Sequence, residues 1–462
     1  MRFDMEYGLD ENKSCRKLNF LDIAENIIII SSVIIFMLNY TIVGVVEPGI
    51  FSPLKNIVML AFFALFIYRF FSVSKNQRRT FFTKKVFILP CFVWIVLFFA
   101  ARLVTFAAEG FQYGIAREIF FEFVFLIAIC EWTVGKNVKI DLLAAIFIIV
   151  NLLINIANTY CIHIIKLSFE GIDKSTAVME ILTSLKTYSS YGAEYNLAVL
   201  YTNPNSAGIM TGLAILLSFM FIKNKKLIPL LSIYWLYSIY VMLEYESRGA
   251  ILSFAAACVS IFAMLLLKKL SPKTIISLCL ILCAGFAIVI YGIIGYNLND
   301  NNKELTKIEE QINVLSTGRY KIWQDCYISH QDKRAFGTGN AALEKEQRNE
   351  YLKSEFENTY GSDSGFIPTT FSVHNGYLAT VFITGWIGFI IFIVIMMNKV
   401  INAKIFYKRN KLSIIMASVV IFTFMVSNFE ALLITSRYYT ILLTFIILAW
   451  DVSGEKGRQE CK

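Results

Sequence analysis

Charge is scarce in this chain, and histidine is scarcer. Asp, Glu, Lys and Arg make up 17% of the 462 residues, against 57% that are hydrophobic, and three residues are histidine. Soluble domains carry about 25% charge and about 45–50% apolar residues. The composition therefore excludes an ordinary globular fold and reads as a polytopic membrane protein. No His-x-x-His, His-Glu-x-x-His or Cys-x-x-Cys spacing occurs, which argues against a metal centre. The nine cysteines are scattered, mostly within apolar runs, and form no disulfide framework. Asp-x-Asp, a Gly-x-Gly-x-x-Gly turn and a Walker-type loop are also missing. A cytoplasmic sugar-nucleotide enzyme or an ATP-driven pump would need something of that kind.

What the chain does have is apolar runs near helix-spanning length. They fall at 27–43, 56–73, 86–106, 119–134, 140–159, 205–222, 227–243, 249–267, 274–296, 376–397, 412–429 and 432–450. Continuous runs cannot be barrel strands, which alternate, and in lipid a helix satisfies its own backbone. The expected fold is all-α and polytopic, with about twelve transmembrane helices. A cytoplasmic tail (1–26) leads into helices one to nine (27–297). A large extracytoplasmic, partly helical loop (298–373) separates helices nine and ten. Helices ten to twelve (374–450) and a cytoplasmic tail (451–462) complete it. No small-residue cleavage site follows the polar start, so the first run reads as an uncleaved anchor.

The net charge of +9 invites a nucleic-acid partner, but its placement explains it better. With the first tail inside, the inner segments carry 25 Lys plus Arg, and the five shorter outer connections carry 7. That is the positive-inside bias repeated along the chain. It orients the protein and needs no nucleic acid.

The 76 residues from Leu298 to Val373 are the one long polar stretch. They contain Ser316-Thr317-Gly318-Arg319 and end against His374-Asn375-Gly376-Tyr377-Leu378. Few arginines fall on the outer side: Arg102, Arg117, Arg248, Arg319, Arg437 and others within the loop. Such residues often only anchor a helix at headgroups. Their forked, permanently charged donors also suit a lipid-linked diphosphate. His374 could be an ordinary surface residue, but imidazole is also suited to accept a proton from a hydroxyl. His163 and His330 lack comparable surroundings.

Tyr201-Thr202-Asn203-Pro204-Asn205-Ser206-Ala207, Ser247-Arg248-Gly249-Ala250, Ser316 to Arg319 with Trp323, Phe336-Gly337-Thr338-Gly339, and His374 to Leu378 with Gly385 and Gly388 occur in that order. This series resembles the O-antigen ligase/polymerase superfamily over roughly residues 195–390. The resemblance implies a metal-independent, inverting transferase of the C-type glycosyltransferase fold, with no cofactor. Its partners would be an undecaprenyl-diphosphate-linked glycan donor, a glycan acceptor and the bilayer, with a flippase and a chain-length regulator in the same pathway. It further implies that Arg248 and Arg319 hold the donor's diphosphate and that His374 binds or deprotonates the acceptor. Asn205, Trp323, Asn375, Tyr377 and Arg437 are candidate substrate-binding residues.

The expected function is polymerisation or ligation of lipid-linked repeat units for capsule, exopolysaccharide or O-antigen. The expected place is the outward face of a bacterial cytoplasmic membrane. A glycan transporter or flippase is the alternative. Against it stand a connection between helices six and seven of only Lys223 to Lys226 and few charges deep within the spans.

Overall fold

The computed structural model describes residues 20–41, 48–72, 138–165, 200–201, 204–267, 269–297, 311–312, 319–331, 334–337, 373–433 and 439–450. Regular structure among them is helical, apart from an isolated bridge between Thr41 and Tyr201. In chain order the helices are α1 (Phe20–Asn39), α2 (Pro48–Ser72), α3 (Ile140–Thr159), α4 (Pro204–Ser218), α5 (Ile228–Glu244), α6 (Arg248–Leu266), α7 (Pro272–Asn297), α8 (Arg319–Ser329), α9 (Gly376–Asn402), α10 (Lys411–Val426) and α11 (Tyr439–Ala449). Six stretches among the described residues are long and apolar enough to cross a membrane, and four shorter apolar helices accompany them. The protein is a helical, multi-pass membrane protein. The runs at 86–106 and 119–134 and the residues Arg102, Arg117 and Arg437 lie outside the described residues.

Two helices make the centre. α4 and α10 are apolar all round and buried along nearly their whole lengths, as such helices must be. α10 packs on α6, α7, α4 and α11, and α4 also packs on α3, α5 and α6. Close approach is achieved with small residues: Gly212 meets the ring of Phe422, and Gly208 meets Ser247 and Ala250. The peripheral helices instead turn large apolar side chains outward, such as Leu236 on α5, Phe262 on α6 and Leu282 on α7. In a membrane these faces meet acyl chains.

A buried polar seam joins α3, α4 and the segments that begin the site. Asn151, Asn155 and Asn158 recur at helical spacing along one face of α3, all buried. The Asn155 amide donates to Thr211 Oγ1 (3.1 Å), while its carbonyl accepts from Tyr201 (2.5 Å) and Tyr245 (3.0 Å). Asn158 accepts from the Leu200 amide (2.8 Å). Burial raises the Tyr201 and Tyr245 phenols above their ordinary range, so both stay protonated and act as donors. A polar group in this setting is costly unless paired. Here the pairing ties residues 200–201 to the turn at 245–248.

α9 is interrupted. Gly385 has φ +67°, and the amides of Trp386 and Ile387 donate to the carbonyls of Arg334 (2.9 Å) and Ala335 (3.2 Å). Non-helical backbone within a membrane helix is tolerated only where its polar groups find partners, and residues 334–337 supply them here. Gly337, at φ +71°, fits because an added Cβ would lie 2.5 Å from the Gly385 amide. Gly385→Ala would force a side chain into the Ala335 carbonyl at a left-handed φ. It should destabilise by more than about 2 kcal/mol. Gly285→Ala, whose Cβ would meet nothing within 4 Å, should leave the melting temperature in detergent nearly unchanged. Equal melting of the two variants would sink the idea that this break is a packed junction.

Candidate functional site

The site forms where α4, α6 and α9 begin and α10 ends. α10 closes at Val426, and the chain turns through Ser427, Asn428 and Phe429 to Glu430. On the other side, residues 373–376 lead into α9. Asn375 accepts from the amides of Tyr377 and Leu378 (both 3.0 Å), an N-cap that satisfies two otherwise orphaned donors. The Gly376 amide donates to Ser427 O (2.6 Å), locking the two strands of chain together. His374, one residue before the cap, has φ +47°. A non-glycine residue there costs on the order of 1 kcal/mol. The cap and the Gly376 bond hold it in place.

Glu430 is the centre of this junction. Its Oε1 accepts from Asn205 Nδ2 (2.7 Å) and from the Arg319 guanidinium (3.4 Å), and its Oε2 meets His374 Nδ1 (3.1 Å). Arg319, the first residue of α8, also donates to the Phe429 carbonyl. Asn205 in turn accepts from Ser247 Oγ (3.1 Å). The Glu430 side chain is 14% exposed, Arg319 17% and His374 33%, so the imidazole is the most accessible of the three. Burial pushes the Glu430 carboxyl upward. The charge and hydrogen bond of His374, the charge of Arg319 and the Asn205 amide outweigh that, and its pKa lies below the ordinary value. A cavity of about 50 Å³ backs the carboxylate, lined by Tyr40, Ser206, Tyr439 and Thr440 among others. That is room for a few waters, not for a sugar.

The expected site residues separate into three groups. Arg319, His374 and Asn205 converge on one carboxylate, although they lie in distant parts of the sequence. Arg248 opens α6 and is exposed, and its side chain has no hydrogen bond or ion pair to another described residue. Its neighbours reach the junction: Ser247 bonds Asn205, and Gly249 lies against the ring of Phe429. Trp323, Asn375 and Tyr377 are buried. Trp323 Nε1 donates to Val373 O (2.7 Å) and the Tyr377 hydroxyl to Phe424 O (3.1 Å). These three side chains hold the backbone around His374 and are not turned toward an open face. Arg437 lies outside the described residues. Of the other histidines, His330 is buried against Phe382, and His163 pairs with Glu244 at 2.7 Å.

Glu430 was not among the expected residues. The sequence did carry a signal for it: a lone carboxylate between two apolar runs, at the same membrane face as the scarce arginines, needs a cationic partner. The lowered pKa of Glu430 means that its ionised form stabilises the fold. That stability is fully present above the unfolded carboxyl value, 4.5, and is lost as pH falls through the depressed folded value. Glu430→Gln should therefore flatten the acid limb of a melting-temperature profile below about pH 4.5. Identical acid limbs for wild type and variant would show that the pairing contributes no stability.

No curated protein matches the chain. The family comparison is positive over a defined stretch, from within α5 to beyond the break in α9. It includes Arg248, Arg319, Trp323 and His374 but neither Asn205 nor Glu430. Residues 232–393 match the family model described as O-antigen ligase, and this segment is what makes the chain similar to the O-antigen ligase/polymerase superfamily.

Proposed function

We propose that this protein is a metal-independent, inverting glycosyltransferase that polymerises or ligates undecaprenyl-diphosphate-linked repeat units for a surface polysaccharide. The observation that carries this reading is the Glu430 carboxylate on His374 Nδ1, beside Arg319. A carboxylate on Nδ1 favours the tautomer that leaves Nε2 unprotonated. Nε2 can then take a proton from an acceptor hydroxyl as it attacks the anomeric carbon. The diphosphate leaves with the bonding electrons, so one base suffices for a single displacement.

Arg319 has five N–H donors. Two of its nitrogens are engaged by Phe429 and Glu430, and the remaining donors can meet the developing charge on the leaving diphosphate. The exposed Arg248, the residue after Ser247 of the Ser247–Asn205 bond, would add a second guanidinium. Charge neutralisation by two arginines would do electrostatically what a metal ion does elsewhere. Trp323, Asn375 and Tyr377 would act by fixing His374, and Arg437 would be a further substrate-binding cation.

The proposed topology has twelve spans, both ends cytoplasmic, and residues 298–373 outside. It is supported by the distribution of basic residues and by the helices at ten of the twelve apolar runs. A cysteine introduced at position 345 should react with an impermeant reagent from the outer side of a bacterial cell. Labelling solely from the cytoplasm would overturn the topology.

The reaction itself is tested with purified enzyme, undecaprenyl-diphosphate-linked repeat units and no added metal, following chain growth. His374→Ala should lower the rate by about 10²–10⁴-fold, the usual contribution of a general base. Arg319→Lys should also lose much activity, because an ammonium cannot reproduce the forked contact. Full activity of the His374→Ala protein would remove the base. An absolute requirement for a divalent cation would remove the arginine argument.

A further inference from the structure

Arg334 takes no part in the site just described, yet it is held firmly. Its carbonyl receives the Trp386 amide at the break in α9. Its guanidinium carbon lies 5.1 Å from the centre of the Tyr327 ring, and the residue is exposed. Tyr327 is a rigid platform: its hydroxyl lies against Gly295, and its ring packs at 4.6 Å on Tyr291, which contacts Trp386 at 4.8 Å.

The level of this platform follows from α7. That helix has 26 residues, or on the order of 39 Å at 1.5 Å per residue, against a hydrocarbon core of about 30 Å. Its exposed apolar side chains run from Leu278 to Val289. Its apolar stretch from Ile275 to Ile294 is about as long as that core, so Gly295 and Tyr296 stand at the boundary with the headgroups, where aromatic side chains collect. Arg334 and Tyr327 share that level. Ile328, next to Tyr327 in sequence, and Phe336, two residues after Arg334, are 49% and 50% exposed and add apolar surface.

We propose that Arg334, stacked on Tyr327, docks the phosphate of a phospholipid in the leaflet at this end of the bundle, with Phe336 and Ile328 against its acyl chains. A guanidinium lying on an aromatic face keeps the edges of its fork free, which is the geometry that phosphate oxygens accept. The apolar flanks select a phosphate that carries chains over a free anion. The site depends on the membrane-spanning fold alone and stands whether or not the transfer reaction does.

The test is lipid retention by the full-length protein, read by native mass spectrometry from detergent containing palmitoyl-oleoyl phosphatidylglycerol. Wild type should retain one phosphatidylglycerol that Arg334→Gln holds roughly tenfold less well, the scale of a lost charged hydrogen bond. The melting temperature should be unchanged. Phe336→Ser, at an exposed position, should also weaken retention, and excess inorganic phosphate should not displace the lipid. Equal retention by wild type and both variants would overturn the proposal. Displacement by phosphate would reduce the site to a free-anion site. Stronger retention of undecaprenyl diphosphate than of phosphatidylglycerol would reassign Arg334 to the substrate. Both of these outcomes refute phospholipid docking.

Discussion

A single carboxylate, its side chain 14% exposed, organises the candidate site of this protein. Glu430 joins the start of α4 through Asn205, the start of α8 through Arg319 and the approach to α9 through His374. An ionised carboxylate out of water is costly unless cations and donors surround it, so each partner also stabilises the others' arrangement. Loss of one leaves a charge that the rest must accommodate. Arg319 and Glu430 balance in charge, and the exposed Arg248, next to Ser247, brings a further cation to the same end. That favours the approach of an anion without filling its place.

Around the carboxylate, main chain supplies the precision. The 373–376 segment is held by the Trp323 indole, the Asn375 cap and the Gly376–Ser427 bond. These contacts give the ring of His374 a fixed origin even though the residue sits at a positive φ. Farther out, Asn155 gathers two tyrosines whose neighbours lead into Asn205 and Ser247. The site is therefore supported in layers, from membrane helix to turn to side chain.

The fold was legible in the sequence because lipid imposes one rule: long apolar runs must become helices. Even the boundaries of α4, α6 and α9 agree with the runs to within a few residues. The candidate site's members were legible where motifs carried them, as with Arg319, His374 and Asn205, which meet at Glu430. It failed where the deciding fact is a contact between distant segments. Nothing local to Trp323 or Tyr377 says that the polar atom is spent on backbone carbonyls 50 and 47 residues away. Glu430 was missed for a related reason: a lone acid in a short connection asks for a cation, but which groups it meets shows only when its three partners arrive. The break at Gly385 likewise hides inside a continuous apolar run, because hydropathy cannot see a φ angle.

The burial of α4 and α10 has a mechanical consequence. Membranes differ in thickness, and a helix whose hydrophobic length does not match tilts or shifts at a cost of fractions of a kcal/mol per Å. That load falls on helices that touch lipid, here α5, α6 and α7 with their outward Leu236, Phe262 and Leu282. The two central helices, whose ends carry Asn205 and lead into Glu430, expose almost nothing to acyl chains. The junction thus hangs from an inner frame insulated from bilayer strain, while the outer helices absorb changes in thickness.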